Sequence, residues 1–384
     1  MKLKIGELNE KNSKLEQELN ILKNKQEENK NKERINDIRK KFNNLLNNKI
    51  FEQNIIKNNL KKDILEYHQY IKENTEKFQE INTIIIEKLQ NNINKINNNN
   101  KAKIYGSRAT NLCLMWSDID IVIYSEQCNK EKEISKNGEE EIEDIKPEFL
   151  EKLNIILNND LTFVENIKYI KKAKVPIIKI KTTKQYYNTM IDITLQTKEH
   201  FGLKCVNLVN KFCKEYESLE PLLFTLKTML KISELNDPYN GGLSSYALVL
   251  MIVNFFEHQK KVKKSIDKDK LGDLFYDFLF FYGGRKDSNY IDINSYTLIN
   301  KEYNFIYIAD PLNKNNNVAK TSYKFIEVKL IFLISLQILN EPCFCQCHYI
   351  SDYDDKNIEH NYLNKIFFGL KRGKLNTNLS NNDN

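Results

Sequence analysis

The sequence predicts an α+β protein: a small mixed-sheet domain, then a helical domain, with a helical arm in front. Three observations carry this. Strand-like stretches are confined to a window between residues 101 and 200. From Val206 onward apolar residues recur at helical spacing. The first segment carries a short heptad pattern. A chain of 384 residues that is 41% hydrophobic supplies more core than one small domain needs, so two or more domains are expected. The boundaries fall at a helical arm over 1–62, a sheet-bearing domain over 101–200, and a helical central domain over 63–100 and 203–370. An Asn-rich tail over 371–384 is expected to be disordered.

In the arm, Ile5, Leu8, Asn12, Leu15, Leu19 and Leu22 fit the a and d positions of a coiled coil. Asn12 sits at an a position, where a lone Asn fixes register. The pattern decays into the polar stretch Lys23–Arg34, so a partner-binding coiled coil and a solvated charged helix both stand as readings. Helical periodicity returns over 64–96 and is broken by Asn97–Asn100. Lys103–Tyr105 reads as a short strand and Ser117–Tyr124 as a stronger one. Glu131–Pro147, charged and containing Gly138, reads as a loop, and Glu148–Leu157 as a helix. Val164–Lys181 and Asn188–Leu195 read as further strands, with Pro176 restricting the first. Phe212, Leu222, Leu226, Leu230, Ala247, Leu250 and Phe255 mark the apolar faces of the later helices.

The formal net charge of +7 suits a polyanionic partner, but equally a Lys- and Asn-rich solvated surface. No N-terminal apolar run resembles a secretory signal, and the longest apolar stretch, Leu330–Leu339, is too short to span a bilayer. Neither secretion nor membrane insertion is expected. Seven cysteines, an odd number and mostly scattered, fit a reducing compartment, nuclear or cytoplasmic. Cys343, Cys345 and Cys347 precede His348 without a second ligand pair, so a zinc site is not expected there.

The chemistry concentrates in carboxylates. Gly106-Ser107 is followed, nine residues on, by Ser117-Asp118-Ile119-Asp120-Ile121-Val122-Ile123. Side chains at i and i+2 of a strand share a face, so Asp118 and Asp120 are expected to project together while Ile119, Ile121 and Ile123 enter the core. Adjacent carboxylates repel unless a cation lies between them, and hard oxygen donors suit Mg²⁺, with Mn²⁺ as the alternative. Asp192 interrupts the apolar strand Met190–Leu195, where an acid has no structural purpose. A Gly-Ser turn allows close approach of backbone N–H groups to a phosphate. Together these parts describe a two-metal phosphoryl-transfer site.

The same residues resemble the noncanonical poly(A) polymerases and terminal uridylyltransferases of the DNA polymerase β-like superfamily. Their pattern is Gly-Ser, about nine residues, Asp-x-Asp and a distant Asp. Ala173-Lys174-Val175-Pro176-Ile177-Ile178-Lys179 looks like the strand before the third aspartate. Leu222–Tyr246, through Leu235-Asn236-Asp237-Pro238-Tyr239 and Gly241-Gly242-Leu243-Ser244-Ser245-Tyr246, is similar to the family's central domain. Asp310-Pro311 with Asn316-Asn317-Val318 looks like its nucleotide-recognition motif.

The resemblance implies a polymerase β-like palm. In it Asp118 and Asp120 would bind both metals, and Asp192 would bind the catalytic metal and help activate an RNA 3′-hydroxyl. It also implies that Gly106 and Ser107 hold the triphosphate, that Lys227, Lys231 and Ser245 contact phosphates, and that Tyr246 stacks on the base. Asp310 and Asn316 would recognise the base. Three positions depart from the pattern. Asn111 replaces a glycine but tolerates the left-handed conformation a turn there would need. Cys205 stands near where a polar residue meets the ribose. Ala319 replaces a glycine after Val318. The implied activity is template-independent addition of AMP from ATP to an RNA 3′ end. Uridylyl transfer from UTP is the rival, since members that prefer UTP commonly carry His where Asn316 stands. From another class, an inactive scaffold acting through the N-terminal helix is set against the intact Asp118, Asp120 and Asp192. The resemblance further implies an RNA-binding or helicase partner protein, and the apolar stripe of the arm offers a coiled-coil docking surface for a partner.

Overall fold

The structure, a computed structural model, describes residues 29–37, 50–76, 78–125, 145–173, 175–197, 200–284, 290–291, 306–340 and 361–380. They fall into two compact units. A sheet unit comprises Leu65–Phe224 with Leu312–Lys314. A helical unit comprises Met1–Ile64, Thr225–Pro311 and Asn315–Asn384. In chain order the helices are α1 (29–37), α2 (Ile50–Glu76), α3 (Phe78–Asn94), α4 (Gly106–Ala109), α5 (Glu148–Asn158), α6 (Gly202–Glu215), α7 (Leu219–Ile232), α8 (Ser245–Lys261), α9 (Leu271–Leu279), α10 (Phe325–Asn340) and α11 (Tyr362–Ser380). No helix among the described residues is long and apolar enough to cross a membrane.

The sheet unit is built on five strands: β1 (Asn100–Tyr105), β2 (Ile119–Ser125), β3 (Val164–Ile170), β4 (Ile177–Thr182) and β5 (Met190–Leu195). Their order is β1-β2-β5-β4-β3, with β2 and β5 parallel and the other pairs antiparallel. β2, β4 and β5 are rich in isoleucine; β4 from Ile178 and β5 from Ile191 alternate apolar with polar positions, while β2 carries the buried Val122 between Ile121 and Ile123. Ile119, Ile121, Ile123, Ile178, Ile180, Ile191 and Ile193 line that face and meet α3 and α5. On α3, Ile81, Ile85, Leu89 and Ile93 recur every fourth residue and form one buried row. On α5, Phe149, Leu150, Leu153 and Leu157 do the same, and Glu148 and Glu151 in its first turn favour the positive end of the helix dipole. Burying each such aliphatic side chain contributes about 1.5–3 kcal/mol. The opposite sheet face carries Asp120, Asp192 and Lys179 beside the buried Val122, Thr194 and Ile177.

Several expectations are corrected here. Val164–Lys181 is a hairpin rather than one strand. β3 stops at Ile170 and β4 starts at Ile177, directly after Pro176, whose ring nitrogen has no hydrogen to give a ladder. The strand expected from Ser117 begins at Ile119, so Asp118 lies just ahead of it. Residues 65–100 lie in the sheet unit together with 203–224, apart from the helices after Thr225, and the apolar row of α3 is part of that unit's core.

Nor are residues 50–62 a separate arm. In the helical unit Ile56, Leu60 and Ile64 of α2 are buried, and Lys57 and Lys61 pair with Asp273 (3.1 Å) and Asp269 (2.6 Å). A Cβ on Gly272 would run into the Lys57 carbonyl, so the missing side chain is what lets α9 come against the backbone of α2. Asp63 accepts a hydrogen bond from the Leu363 backbone N–H at 3.2 Å. The tail expected to be disordered continues as α11 to Ser380. The heptads of residues 5–22, most of the Glu131–Pro147 loop, and Cys343, Cys345, Cys347 and His348 lie outside the described residues.

The later helices follow the expected faces: Phe212, Leu222, Leu226, Leu230, Ala247, Leu250 and Phe255 are all buried. In the helical unit α8 is buried along most of its length. Phe255 meets Phe278 and Phe281 edge-on at 5.5 and 5.6 Å. The Tyr282 hydroxyl, wholly buried, donates to the Met251 carbonyl (2.8 Å) and accepts from Asn254 (3.1 Å), and burial drives its pKa up. A three-stranded sheet of β6 (Tyr290–Ile291), β7 (Tyr307–Asp310) and β8 (Asn313–Asn317), in that order, carries the residues singled out near position 310.

Candidate active site

On the polar face of the sheet unit, strand register sets the geometry. Tyr105 opposes Asp120 across β1–β2, Asp120 opposes Asp192 across β2–β5, and Asp192 opposes Lys179 across β4–β5. Neighbouring strands lie about 4.8 Å apart, so the two carboxylates stand side by side on one face. Asp192 also carries a charged partner: Lys179 Nζ lies 2.5 Å from its Oδ2.

Gly106 follows β1 with φ +67°, and a Cβ there would collide with the Asp120 carboxylate. Glycine is required twice over at this position, for the left-handed backbone and for the space. Ser107 is next in α4. Its carbonyl accepts the Leu112 N–H at 3.0 Å and the Thr110 hydroxyl at 3.2 Å. Asn111 adopts φ +57°, the conformation in which it was expected to substitute for glycine.

Arg108 was not singled out from the sequence. It is buried, and its guanidinium donates from Nε (3.2 Å) and Nη2 (2.7 Å) to the carbonyl of Ser117, the residue before Asp118. The Ser117 hydroxyl in turn accepts the Leu114 N–H at 2.9 Å. The Gly-Ser turn is thereby tied to the entry of the Asp-x-Asp segment. The only signal in the sequence was a cation immediately after Gly106-Ser107. Nearer the other end of β5, the buried Thr194 hydroxyl lies 3.3 Å from His200 Nε2, and the His200 ring meets Tyr105 edge-on at 5.0 Å. Burial lowers the His200 pKa from its ordinary 6.5, which favours the neutral ring.

In the helical unit, Lys227 and Lys231 stand one turn apart on α7, the first buried and the second exposed. Ser244 and Ser245 divide their work. Ser244 is the N-cap of α8 and accepts the Ala247 N–H at 3.1 Å, while Ser245 is exposed in the first turn. Tyr246, Asp310 and Asn316 are brought together. The buried Asp310 accepts from the Tyr246 hydroxyl at 3.3 Å and from the Asn316 amide nitrogen at 2.9 Å. An ionised carboxylate only accepts, so the nitrogen of Asn316 must face it. Asn317, read only as part of a motif, is a structural brace. It accepts from the Ile308 and Ala319 N–H groups at 2.9 and 3.0 Å and donates to the Ile306 carbonyl.

No three acidic, His or Cys side chains among the described residues are grouped as a ready-made metal cluster. The donors nonetheless fit a hard divalent cation in kind. Asp120 and Asp192 present carboxylate oxygens from adjacent strands, Asp118 lies two residues before Asp120, and the bare Gly106 leaves Asp120 room.

Residues 60–214 match a family model described as the central palm domain of mitochondrial-like poly(A) RNA polymerase. The poly(A) RNA polymerase cid14 of Schizosaccharomyces pombe is 28% identical over 258 residues, 63% of this chain but 35% of that protein. The chain therefore spans about a third of that relative's length. Among solved structures, the polymerase core of TRAMP, an RNA surveillance complex, superposes with a TM-score of 0.60 at 21% identity, covering 83% of this chain and 95% of the other. The Cid1 poly(U) polymerase gives a TM-score of 0.54 at 20% identity, covering 73% and 94%. These structural likenesses extend the shared α+β fold beyond the palm.

Proposed function

We propose, for a chain that belongs to the noncanonical poly(A) polymerase family, that it is a template-independent nucleotidyltransferase adding AMP from ATP to an RNA 3′ end. The observation that carries this reading is the register pairing of Asp120 with Asp192 on one sheet face, with Gly106 closing against Asp120. Asp118, Asp120 and Asp192 are the residues to hold divalent ions. Bound Mg²⁺ would neutralise triphosphate charge and raise the acidity of the attacking hydroxyl. The RNA 3′-hydroxyl releases its proton to solvent as its oxygen bonds to the α-phosphorus, the bond from that phosphorus to the bridging oxygen of the β-phosphate breaks, and pyrophosphate leaves. Asp192 orients that hydroxyl. Gly106 and Ser107 offer backbone N–H groups to the triphosphate, and Lys227, Lys231 and Ser245 balance its charge.

Tyr246 supplies a ring face for the base, which gives affinity without much selectivity. Asn316 supplies selectivity. With its nitrogen turned to Asp310, its amide still offers an acceptor and a second N–H, the pair an Asn uses on the adenine edge. The physiological RNA is held with the help of an RNA-binding or helicase partner, recruited through the N-terminal arm, residues 1 to about 45, in a nuclear or cytoplasmic setting.

The test is extension of a labelled RNA oligonucleotide with Mg²⁺ and each of ATP, UTP, GTP and CTP separately. A ladder longest with ATP, and lost in Asp120→Ala and Asp192→Ala, supports the reading. A ladder longest with UTP replaces it with uridylyl transfer. No extension with any nucleotide by folded protein leaves the inactive scaffold.

A further inference from the structure

The row across the sheet runs Asp120, Asp192, Lys179, one residue from each of three adjacent strands. Two carboxylates held side by side repel each other, and nothing in a strand lets them turn far apart. Lys179 stands on the far side of Asp192 from Asp120 and draws one Asp192 oxygen toward β4. Neither partner is fully solvated: the side chains of Lys179 and Asp192 are 28% and 13% exposed. Water screens such a pair less than an open surface pair.

We propose that Lys179 is a positioning residue that competes with a divalent cation for Asp192. It holds the third carboxylate in place in the metal-free protein, and it sets how readily that carboxylate is given up to a metal. The inference rests on the reading of Asp192 as a metal ligand. The physical reason is direct. An ammonium and a divalent cation are like charges that need the same carboxylate oxygens. While Lys179 is bound there, metal capture at Asp192 must displace it or share the oxygen with it. Loading is therefore weak in the free enzyme. It becomes favourable when a nucleotide triphosphate and an RNA end add their own negative oxygens. Removing the ammonium strengthens metal binding but releases the carboxylate from its fixed orientation.

The experiment uses the full chain without nucleotide or RNA. Free Mn²⁺ is followed by electron paramagnetic resonance during titration of wild type, Lys179→Met, Lys179→Gln and Lys179→Arg. Both neutral variants should bind Mn²⁺ on the order of ten-fold more tightly, with Lys179→Arg close to wild type. In EDTA the neutral variants should melt roughly 2–4 °C lower, because the Asp120–Asp192 repulsion is no longer offset. At saturating Mg²⁺ their kcat should fall with KM for ATP unchanged, as expected when orientation rather than substrate binding is lost. Unchanged or weaker Mn²⁺ binding in whichever neutral variant folds would overturn the competition. Failure of the underlying reading looks different: Asp192→Ala would then bind as many Mn²⁺ ions, as tightly, as wild type.

Discussion

Replacing Gly106 with alanine puts a methyl group where the Asp120 carboxylate now lies. The backbone at this position has φ +67°, and a built Cβ would sit 3.1 Å from Asp120 Cγ and closer still to Oδ2. Two costs follow. An L-residue in the left-handed region loses about 1–2 kcal/mol. The collision is relieved only by moving Asp120 or opening the turn, and a misplacement of about 1 Å in a reacting constellation costs roughly 100-fold in rate. Gly106→Ala should therefore lose about 1–3 kcal/mol of stability in urea unfolding and about 100-fold or more in single-turnover RNA extension. Asn111→Ala separates the two effects. Asn111 also has positive φ, at +57°, and this change pays a backbone cost without placing a methyl against Asp120. It should lose about 1 kcal/mol of stability and keep most of its activity. Extension by Gly106→Ala within three-fold of wild type would refute the claim that space at this turn governs Asp120.

Arg108→Ala removes two hydrogen bonds to the Ser117 carbonyl from a buried cation. It should cost about 2–4 kcal/mol in denaturant unfolding, and more activity than that stability loss explains. Asp310→Asn can turn an N–H toward Asn316 and unset its amide, so KM for ATP should rise several-fold while melting moves little. Asn316→His should shift preference toward UTP when the two nucleotides compete in one extension assay. His200 has a folded pKa below its ordinary 6.5, so the unfolded chain binds the proton more readily. Its contribution to stability is present above pH 6.5 and is lost as pH falls below it. Urea midpoints between pH 7.5 and 5.0 should therefore drop less in His200→Phe than in wild type.

Much of the sheet unit could be read from the chain because local pattern and tertiary burial agree there. Ile119 and Ile121 flank Asp120, Ile123 follows two residues on, and all three isoleucines are fully buried. The row from Ile81 to Ile93 announced a one-faced helix. That stripe did not say what it would cover, since amphipathicity fixes a face and not its partner. The sheet it covers becomes visible only in the packed structure. The break at Pro176 was visible as a restriction and not as a hairpin, because a long β-branched run on both sides masks a turn. Gly106, Asp120 and Asp192 were legible as chemistry out of place. Arg108 and Lys179 were not, because what distinguishes them from other cations is a carbonyl nine residues away and a strand register. The meeting of Tyr246, Asp310 and Asn316 needed the same long-range information.

The cross-sheet row also bears on how the protein comes to be folded. Asp120 is made early and pairs with Tyr105 through the local β1–β2 ladder, whereas its neighbour Asp192 arrives much later along the chain. Contacts of such sequence separation form late, after loop closure has been paid for. Inserting a lone acid beside Asp120 would meet its charge at that moment. β5 does not come alone, because it is joined to β4 by a short connection, and Lys179 lies opposite Asp192 in that ladder. The hairpin that completes the sheet thus delivers an acid already matched with a base and is neutral at the position where it docks. A nascent chain that ends before residue 190 lacks Asp192, so the facing pair of Asp120 and Asp192 exists only once the sheet has closed.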